Sequence, residues 1–350
     1  MKFIHCSDIH LDSKMERNLT AAQARERNAE VCATFARMAA FAAQQDVTAV
    51  LMAGDLFDTQ RATAQTVGFV LDTIRNVPNV DFLYLRGNHD VSAFEGWDLP
   101  ENFKTFGDGW TYHRYGEVVI AGMEQEPAYD ALNLPEDTVN IVTLHGQIST
   151  QPGEELIALP LLKRKNIDYL ALGHIHSYQT GKLDDRGTWC YCGCLEGRGF
   201  DELGAKGFVL VNVENKNVSH EFVPFARRTL EEVSVDITDL VTVSQILAAA
   251  EEACEGIPAE NLVKVTLTGT YSLETQKDLQ FLKKMLEGRF WFLKIKDESR
   301  LEIEKESYEH DLSLKGEFIR TVLASDLPQA DKDRIICAGL EALRGEEISL

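Results

Sequence analysis

The sequence predicts an α/β protein: a larger domain over residues 1–226, followed by a smaller α/β module. Three observations predict it. Short apolar runs such as Val47–Ala53 and Val139–Leu144 end on glycine or histidine, the pattern of buried parallel strands closed by a turn. Between the early runs lie stretches rich in Ala, Arg, Glu and Met without Gly or Pro, which favour helix. Past Pro224-Phe225-Ala226-Arg227-Arg228 the hydrophobic pattern restarts with its own periodicity. A chain of 350 residues is long enough for two domains.

In order, residues 2–6 read as a first strand, 20–45 as a long helix, 47–53 as a strand and 64–75 as a second helix. Pro78 ends that unit, and 80–85 form a third strand. Residues 91–110 read as an irregular loop packed by its own aromatics. Strands follow at 118–122 and 139–144, then a helix at 156–165 and a strand at 167–172. Glycine-rich residues 181–225 read as antiparallel strands and turns. The second module reads as strand 233–237, helix 243–254, strand 262–268, helix 275–286 and strand 290–295. Two helices, at 314–324 and 331–343, close the chain, so the expected divisions are 1–226, 227–313 and 314–350.

Composition excludes some functions. A net charge of −21 argues against a protein that coats nucleic acid through broad electrostatics. No basic domain is hidden inside that total, since residues 1–228 hold 21 basic and 31 acidic residues and the rest hold 14 and 25. No apolar run reaches the length of a membrane span, and Met1-Lys2 leads straight into a strand. With seven cysteines and no framework spacing, the expected setting is the reducing cytoplasm, without a membrane partner.

The chemistry collects at the strand ends. Asp8 and His10 follow the first strand, Asp55 the second, Asn88 and His89 the third; His145 and then His174 and His176 follow later ones. Asp-x-His and His-x-His place two side chains on the same side of an extended backbone. Histidine, carboxylate and an Asn carbonyl are ligands for first-row divalent ions. Five of the nine histidines lie in these motifs. Seven donors exceed what one ion needs, which points to two ions sharing Asp55; two-metal hydrolytic sites hold their ions roughly 3.5–4 Å apart. His5, inside the first strand, reads as a packed core residue, and Asp12 and Asp58 as caps or turn residues that could also assist the site.

The ordered set Asp8-x-His10, Gly54-Asp55-x-x-Asp58, Gly87-Asn88-His89-Asp90, His145 and Gly173-His174-x-His176 resembles the calcineurin-like metallophosphoesterase superfamily. Ser7-Asp8-Ile9-His10-Leu11-Asp12, Gly54-Asp55-Leu56-Phe57-Asp58 and the loop Gly193–Phe200 are similar to its DNA-repair exonuclease branch, that of the SbcD and YhaO-like nucleases. The resemblance implies an α+β sandwich, with a two-sheet core flanked by helices and a smaller C-terminal capping domain. It implies that Asp8, His10 and His176 hold one ion and Asn88, His145 and His174 the other, with Asp55 between them. Manganese is the expected metal. His89 would be the acid serving the leaving oxygen, and Asp90 would orient its ring. Arg86, where the family commonly has a small residue, could meet a substrate phosphate or pair with a surface acid. The implied activity is metal-dependent 3′-to-5′ DNA exonuclease with some endonuclease action. The implied partners are an SbcC-type coiled-coil ATPase, docked through residues 314–343, and a second copy in a homodimer. Hydrolysis of small nucleotides is the alternative reading, and a non-catalytic scaffold a third.

Overall fold

The computed structural model describes residues 1–15, 19–58, 62–90, 94–124, 126–272, 274–302 and 308–344. The chain divides into two compact units, Met1–Leu230 and Glu231–Leu350. The strands of the first unit run β1 (Lys2–Cys6), β2 (Ala49–Ala53), β3 (Asp81–Leu85), β4 (Phe103–Thr105), β5 (Thr111–Tyr115), β6 (Val118–Gly122) and β7 (Val139–His145). They continue as β8 (Gln147–Ser149), β9 (Leu156–Ala158), β10 (Tyr169–Gly173), β11 (Gln179–Lys182), β12 (Thr188–Tyr191), β13 (Gly207–Glu214) and β14 (Asn217–Pro224). Helices α1 (Ala21–Gln44), α2 (Ala64–Arg75) and α3 (Leu159–Leu162) complete that unit.

Two mixed six-stranded sheets form its centre, in the orders β14-β13-β1-β2-β3-β4 and β11-β12-β10-β7-β6-β5. The central strands β2, β6 and β10 are buried along their whole length because both faces are covered, whereas edge strands such as β5, β11 and β14 carry polar residues. In β1, Phe3 enters the layer between the sheets with Leu51, Val118 and Ile141, while Ile4 faces the layer under α1 and α2 with Phe35 and Val70. The outer face of the second sheet is closed by Met123, Tyr129, Leu132 and Ile157 rather than by long helices.

Register decides where the site falls. β1, β2 and β3 are parallel, with Cys6 opposite Met52 and Ala53 opposite Leu85, so the chain leaves all three at one edge. In the other sheet Gly173 lies opposite His145 in the parallel pair β10–β7. The His145 Nδ1–H donates to the Ala53 carbonyl at 2.8 Å, tying the carboxyl ends of both sheets together.

Two expectations are corrected. The helix at 156–165 is instead the strand β9 and a single turn, α3; Pro160 fits that first turn but lacks the N–H of a helix interior. The stretch 91–110, of which 91–93 lies outside the described residues, is not wholly irregular, since β4 adds a parallel edge to the first sheet. Strand β5, whose residues are alternately half-buried and exposed, was hidden by its polar sequence.

In the second unit, β15 (Leu230–Asp236, starting on the last residue of the first unit), β16 (Leu262–Thr268) and β18 (Phe292–Asp297) form one sheet. Two-residue strands β17 (Thr270–Tyr271) and β19 (Arg300–Leu301) pair alongside. Helices α4 (Val243–Ala253) and α5 (Leu279–Leu286) bring Ile246, Ala250, Leu282 and Leu286 onto Val263 and Val265. Helices α6 (Leu314–Leu323) and α7 (Gln329–Arg344) share a separate cluster of Leu301, Ile319, Val322, Ile336 and Leu340. Among the described residues no helix is long and apolar enough to cross a membrane.

Candidate metal centre

The strand-end residues converge through strained backbone. Asp8, His10, Asp55 and His174 all have positive φ, at 49°, 49°, 53° and 101°. This left-handed region is uncommon for residues with a Cβ, and Asp and His enter it more readily than most. Here the Asp8 amide donates to the Gly54 carbonyl and the His10 amide to the Asp55 carbonyl, both at 3.0 Å, so the β1 and β2 exits brace each other. Close approach is also required at Gly87, where a Cβ would stand 2.1 Å from Asp55 Oδ1.

The imidazoles present Nε2 to a common centre. His10 Nε2 and His176 Nε2 lie 3.2 Å apart, with His10 Nε2 3.9 Å from Asp55 Oδ2 and His176 Nε2 3.6 Å from Asp8 Oδ1. His145 Nε2 is 3.3 Å from Asp55 Oδ2 and 3.2 Å from Asn88 Oδ1. The His174 ring stands edge-on to His145 at 5.4 Å between centroids, while its amide donates to both Asp8 oxygens at 3.0 and 3.1 Å. Two donor groups, Asp8–His10–His176 and Asp8–Asp55–His145, are compact enough to hold a metal ion.

The opposite ring nitrogens are held from behind. His145 Nδ1 faces the Ala53 carbonyl, and His176 Nδ1 donates to Glu202 Oε1 at 2.7 Å. His10 Nδ1 lies 3.2 Å from Asp58 Oδ1. A carbonyl or ionised carboxylate can only accept, so the proton of His145 and of His176 is fixed on Nδ1 and Nε2 is left for a cation. The donor set fits divalent ions on charge as well. Asp8 and Asp55 are 0 % and 2 % exposed, and among the described residues no lysine or arginine pairs with either. Two buried carboxylates paired only with imidazoles are costly to keep ionised, and divalent cations would neutralise them.

Electrostatics follow from this crowding. Burial pushes Asp55 up, but the hydrogen bond and charge of His145, then His10, hold it far below the usual carboxylate range. Burial pulls His145 down, yet Asp55 outweighs it and lifts the imidazole to about 9. A cation on His145 Nε2 therefore displaces a proton at neutral pH.

His89 and Asp90 sit beside the donors in different roles. The His89 ring packs edge-on to His10 at 5.3 Å, its amide donates to Asp55 Oδ1 at 3.1 Å, and its Nδ1 lies 3.3 Å from the Asp58 carbonyl. Asp90 does not orient that ring. Its buried carboxylate instead accepts the amides of Leu56, Phe57 and Gly87 at 2.9–3.2 Å, clamping the Asp55 and Asn88 loops together. The Arg86 guanidinium is closed on the buried Glu124, with the exposed Asp108 at 3.6 Å.

Two further side chains complete the site: Arg198, in the loop Gly193–Phe200 whose sequence resembles the nuclease branch but whose role it did not reveal, and Glu202, which lies outside every motif. Arg198 donates to Asp58 Oδ1 at 2.7 Å and to Glu202 Oε1 at 2.8 Å, joining the two acids that stand behind His10 and His176. Glu202, despite burial, is held far below its ordinary range by His176 and Arg198. Asp58 proves to touch the site, whereas Asp12 accepts from the Thr63 amide and the Thr66 hydroxyl and so braces the start of α2.

Residues 1–178 match the calcineurin-like phosphoesterase family. The chain belongs to this family. It is a metallophosphoesterase, a hydrolase of phosphate esters, and its family implies two divalent metals. It is 26% identical over 344 residues to the uncharacterized metallophosphoesterase YhaO of Bacillus subtilis, covering 86% of this chain and 83% of that protein. It is 30% identical over 247 residues to the DNA double-strand break repair protein Mre11 of Haloferax volcanii, covering 66% of this chain and about half, 52%, of that protein. Among solved structures, a dimetal phosphatase from Danio rerio covers 63% of this chain and 95% of its own at 10% identity, with a TM-score of 0.42.

Proposed function

We propose that this metallophosphoesterase is a DNA exonuclease, acting 3′ to 5′ with secondary endonuclease action. The observation that carries the hydrolytic part is the convergence of the His10, His145 and His176 Nε2 atoms on the buried carboxylates Asp8 and Asp55. The DNA part rests on similarity to proteins named as DNA double-strand break repair protein Mre11, over about half their length.

In this reading Asp8, His10 and His176 hold one ion, and Asn88, His145 and His174 the other, with Asp55 shared. When bound, the ions, manganese in this proposal, supply Lewis acidity and lower the pKa of water. The chain supplies the rest. Glu202 and the Ala53 carbonyl keep the His176 and His145 imidazoles aimed, Asp58 stands beside His10 Nδ1, and Asp90 holds two loops in register. His89 stands beside the donors with Nδ1–H donating to the Asp58 carbonyl; as the imidazolium it would also carry a proton on Nε2 and give that proton to the leaving oxygen. The protein works in the cytoplasm as a homodimer beside an SbcC-type coiled-coil ATPase. In this assignment residues 1–226 are the nuclease domain, 227–313 an accessory cap, and helices α6 and α7 within 314–350 the docking segment.

A second reading, hydrolysis of small nucleotide diesters, is favoured by the net charge of −21. One assay separates the two. Protein with manganese is incubated in parallel with end-labelled duplex DNA and with a cyclic mononucleotide. Shortened DNA is expected; turnover of the cyclic ester alone would replace the first reading by the second.

A further inference from the structure

A cleft of about 530 Å³ opens directly beside the candidate metal centre and shares His145 and Asn88 with it. Its volume falls in the range that encloses a small organic ligand. Leu85, Met123 and Leu156 supply apolar wall. Glu126, Glu154 and Glu155 also line it, and all three are exposed. Among the described lining residues Arg86 is the one lysine or arginine, and it is closed on Glu124, while His145 belongs to the metal centre. The cleft therefore has a partly apolar wall and exposed carboxylates where a nucleic-acid track would carry positive charge.

We propose that this cleft seats the nucleoside on one side of the scissile phosphate, and that Glu126, Glu154 and Glu155 exclude a further phosphate beyond it. The inference rests on the phosphodiesterase reading above and adds a specificity to it. Terminal cleavage is favoured over internal cleavage because a sugar and base are uncharged, whereas the next phosphate of a continuing strand would face three carboxylates. The hydrolysis itself is ordinary: water adds to phosphorus, one P–O bond to a sugar oxygen breaks, and that oxygen takes a proton. The end unit leaves as a nucleoside or a nucleotide according to which of the two bonds breaks.

The test compares the dinucleoside monophosphate dTpdT with the same compound carrying an extra phosphate on its 5′ or its 3′ terminus, in manganese. The form whose added phosphate falls at the cleft should show kcat/KM lower by about tenfold, mainly through KM, with the difference shrinking as salt rises. The triple variant E126Q/E154Q/E155Q should erase most of that penalty. Equal kcat/KM for all three compounds, or a penalty that neither salt nor the triple variant relieves, would overturn the proposal. Bis(p-nitrophenyl) phosphate is run alongside. If that diester is turned over while dTpdT shows no discrimination, the cleft proposal alone falls; if neither diester is turned over, the phosphodiesterase reading falls with it.

Discussion

At the scale of single residues, the site separates groups that grip a cation from groups that aim them. His89 touches Asp55 only through its backbone amide, so its side chain can be removed without removing a donor. His89→Ala should abolish diester hydrolysis while elemental analysis still finds the metal content of the parent protein. Glu202→Gln should do the reverse in part. It weakens the acceptor behind His176 and leaves Arg198 with less counter-charge, so manganese affinity measured by calorimetry should fall about 10- to 100-fold. His5 gives a contrasting case, a histidine for the core. It is fully buried, with Nδ1 2.9 Å from the Tyr169 hydroxyl and Nε2 3.2 Å from the Leu172 carbonyl. Burial drives its pKa down to about 3. The unfolded chain takes up this proton below about 6.5 while the native one does not, so stability is complete above that pH and lost as pH falls from 6.5 toward 3. At pH 5 this one residue should remove about 2 kcal/mol relative to pH 8. Urea unfolding of His5→Asn should show a correspondingly shallower loss.

At the scale of elements, α1 shows which contacts were legible. Its extent was readable from composition, and in the structure Thr20 and Gln23 close both halves of a capping box at its start. What pins the helix was not readable. Arg27, 1 % exposed, donates to Glu196 Oε2 at 3.1 Å and to the Gly197 carbonyl at 2.8 Å, and Glu196 also accepts from Thr34. Thr20→Ala should cost about 1 kcal/mol, the usual loss of a cap. Arg27→Ala should cost about 3–5 kcal/mol, because it strands a buried carboxylate. Urea denaturation of the two variants side by side gives the comparison, and similar losses would mean that Glu196 finds other partners. The missed strands β4 and β5 have the same explanation. Their half-polar sequences carry little periodicity, and they become strands because an edge of β3 or β6 offers unpaired backbone groups.

At the scale of the whole molecule, the two compact units give the metal reading a spatial signature. The donors all lie in Met1–Leu230, at the exits of β1, β2, β3, β7 and β10. A ligand that binds only the native form stabilises it by about 2.7 kcal/mol at a hundredfold excess over its Kd. Manganese should therefore slow amide hydrogen exchange at those strand exits and leave Glu231–Leu350 unchanged. Protection spread evenly over both units, or none, would argue against ions at the strand ends. The family pattern itself was legible at this scale, since polar residues after apolar runs were spaced along residues 8–176 and the family match covers 1–178.

The sequence by itself determined that apolar strands would alternate with helices, that the pattern would restart after Arg228, and which residues would stand at the strand ends. Those features are local: a side chain's place at the end of a strand depends on its immediate neighbours. Only the tertiary structure decided that the two sheets would set the His145 ring against the Ala53 carbonyl, that Arg86 would turn to Glu124, and that Asp90 would clamp backbone. It alone put Glu202 behind His176 across 26 positions of chain and Arg198 beside Asp58 across 140. Contacts at such separations follow the path of the whole chain, and no spacing in the sequence encodes them.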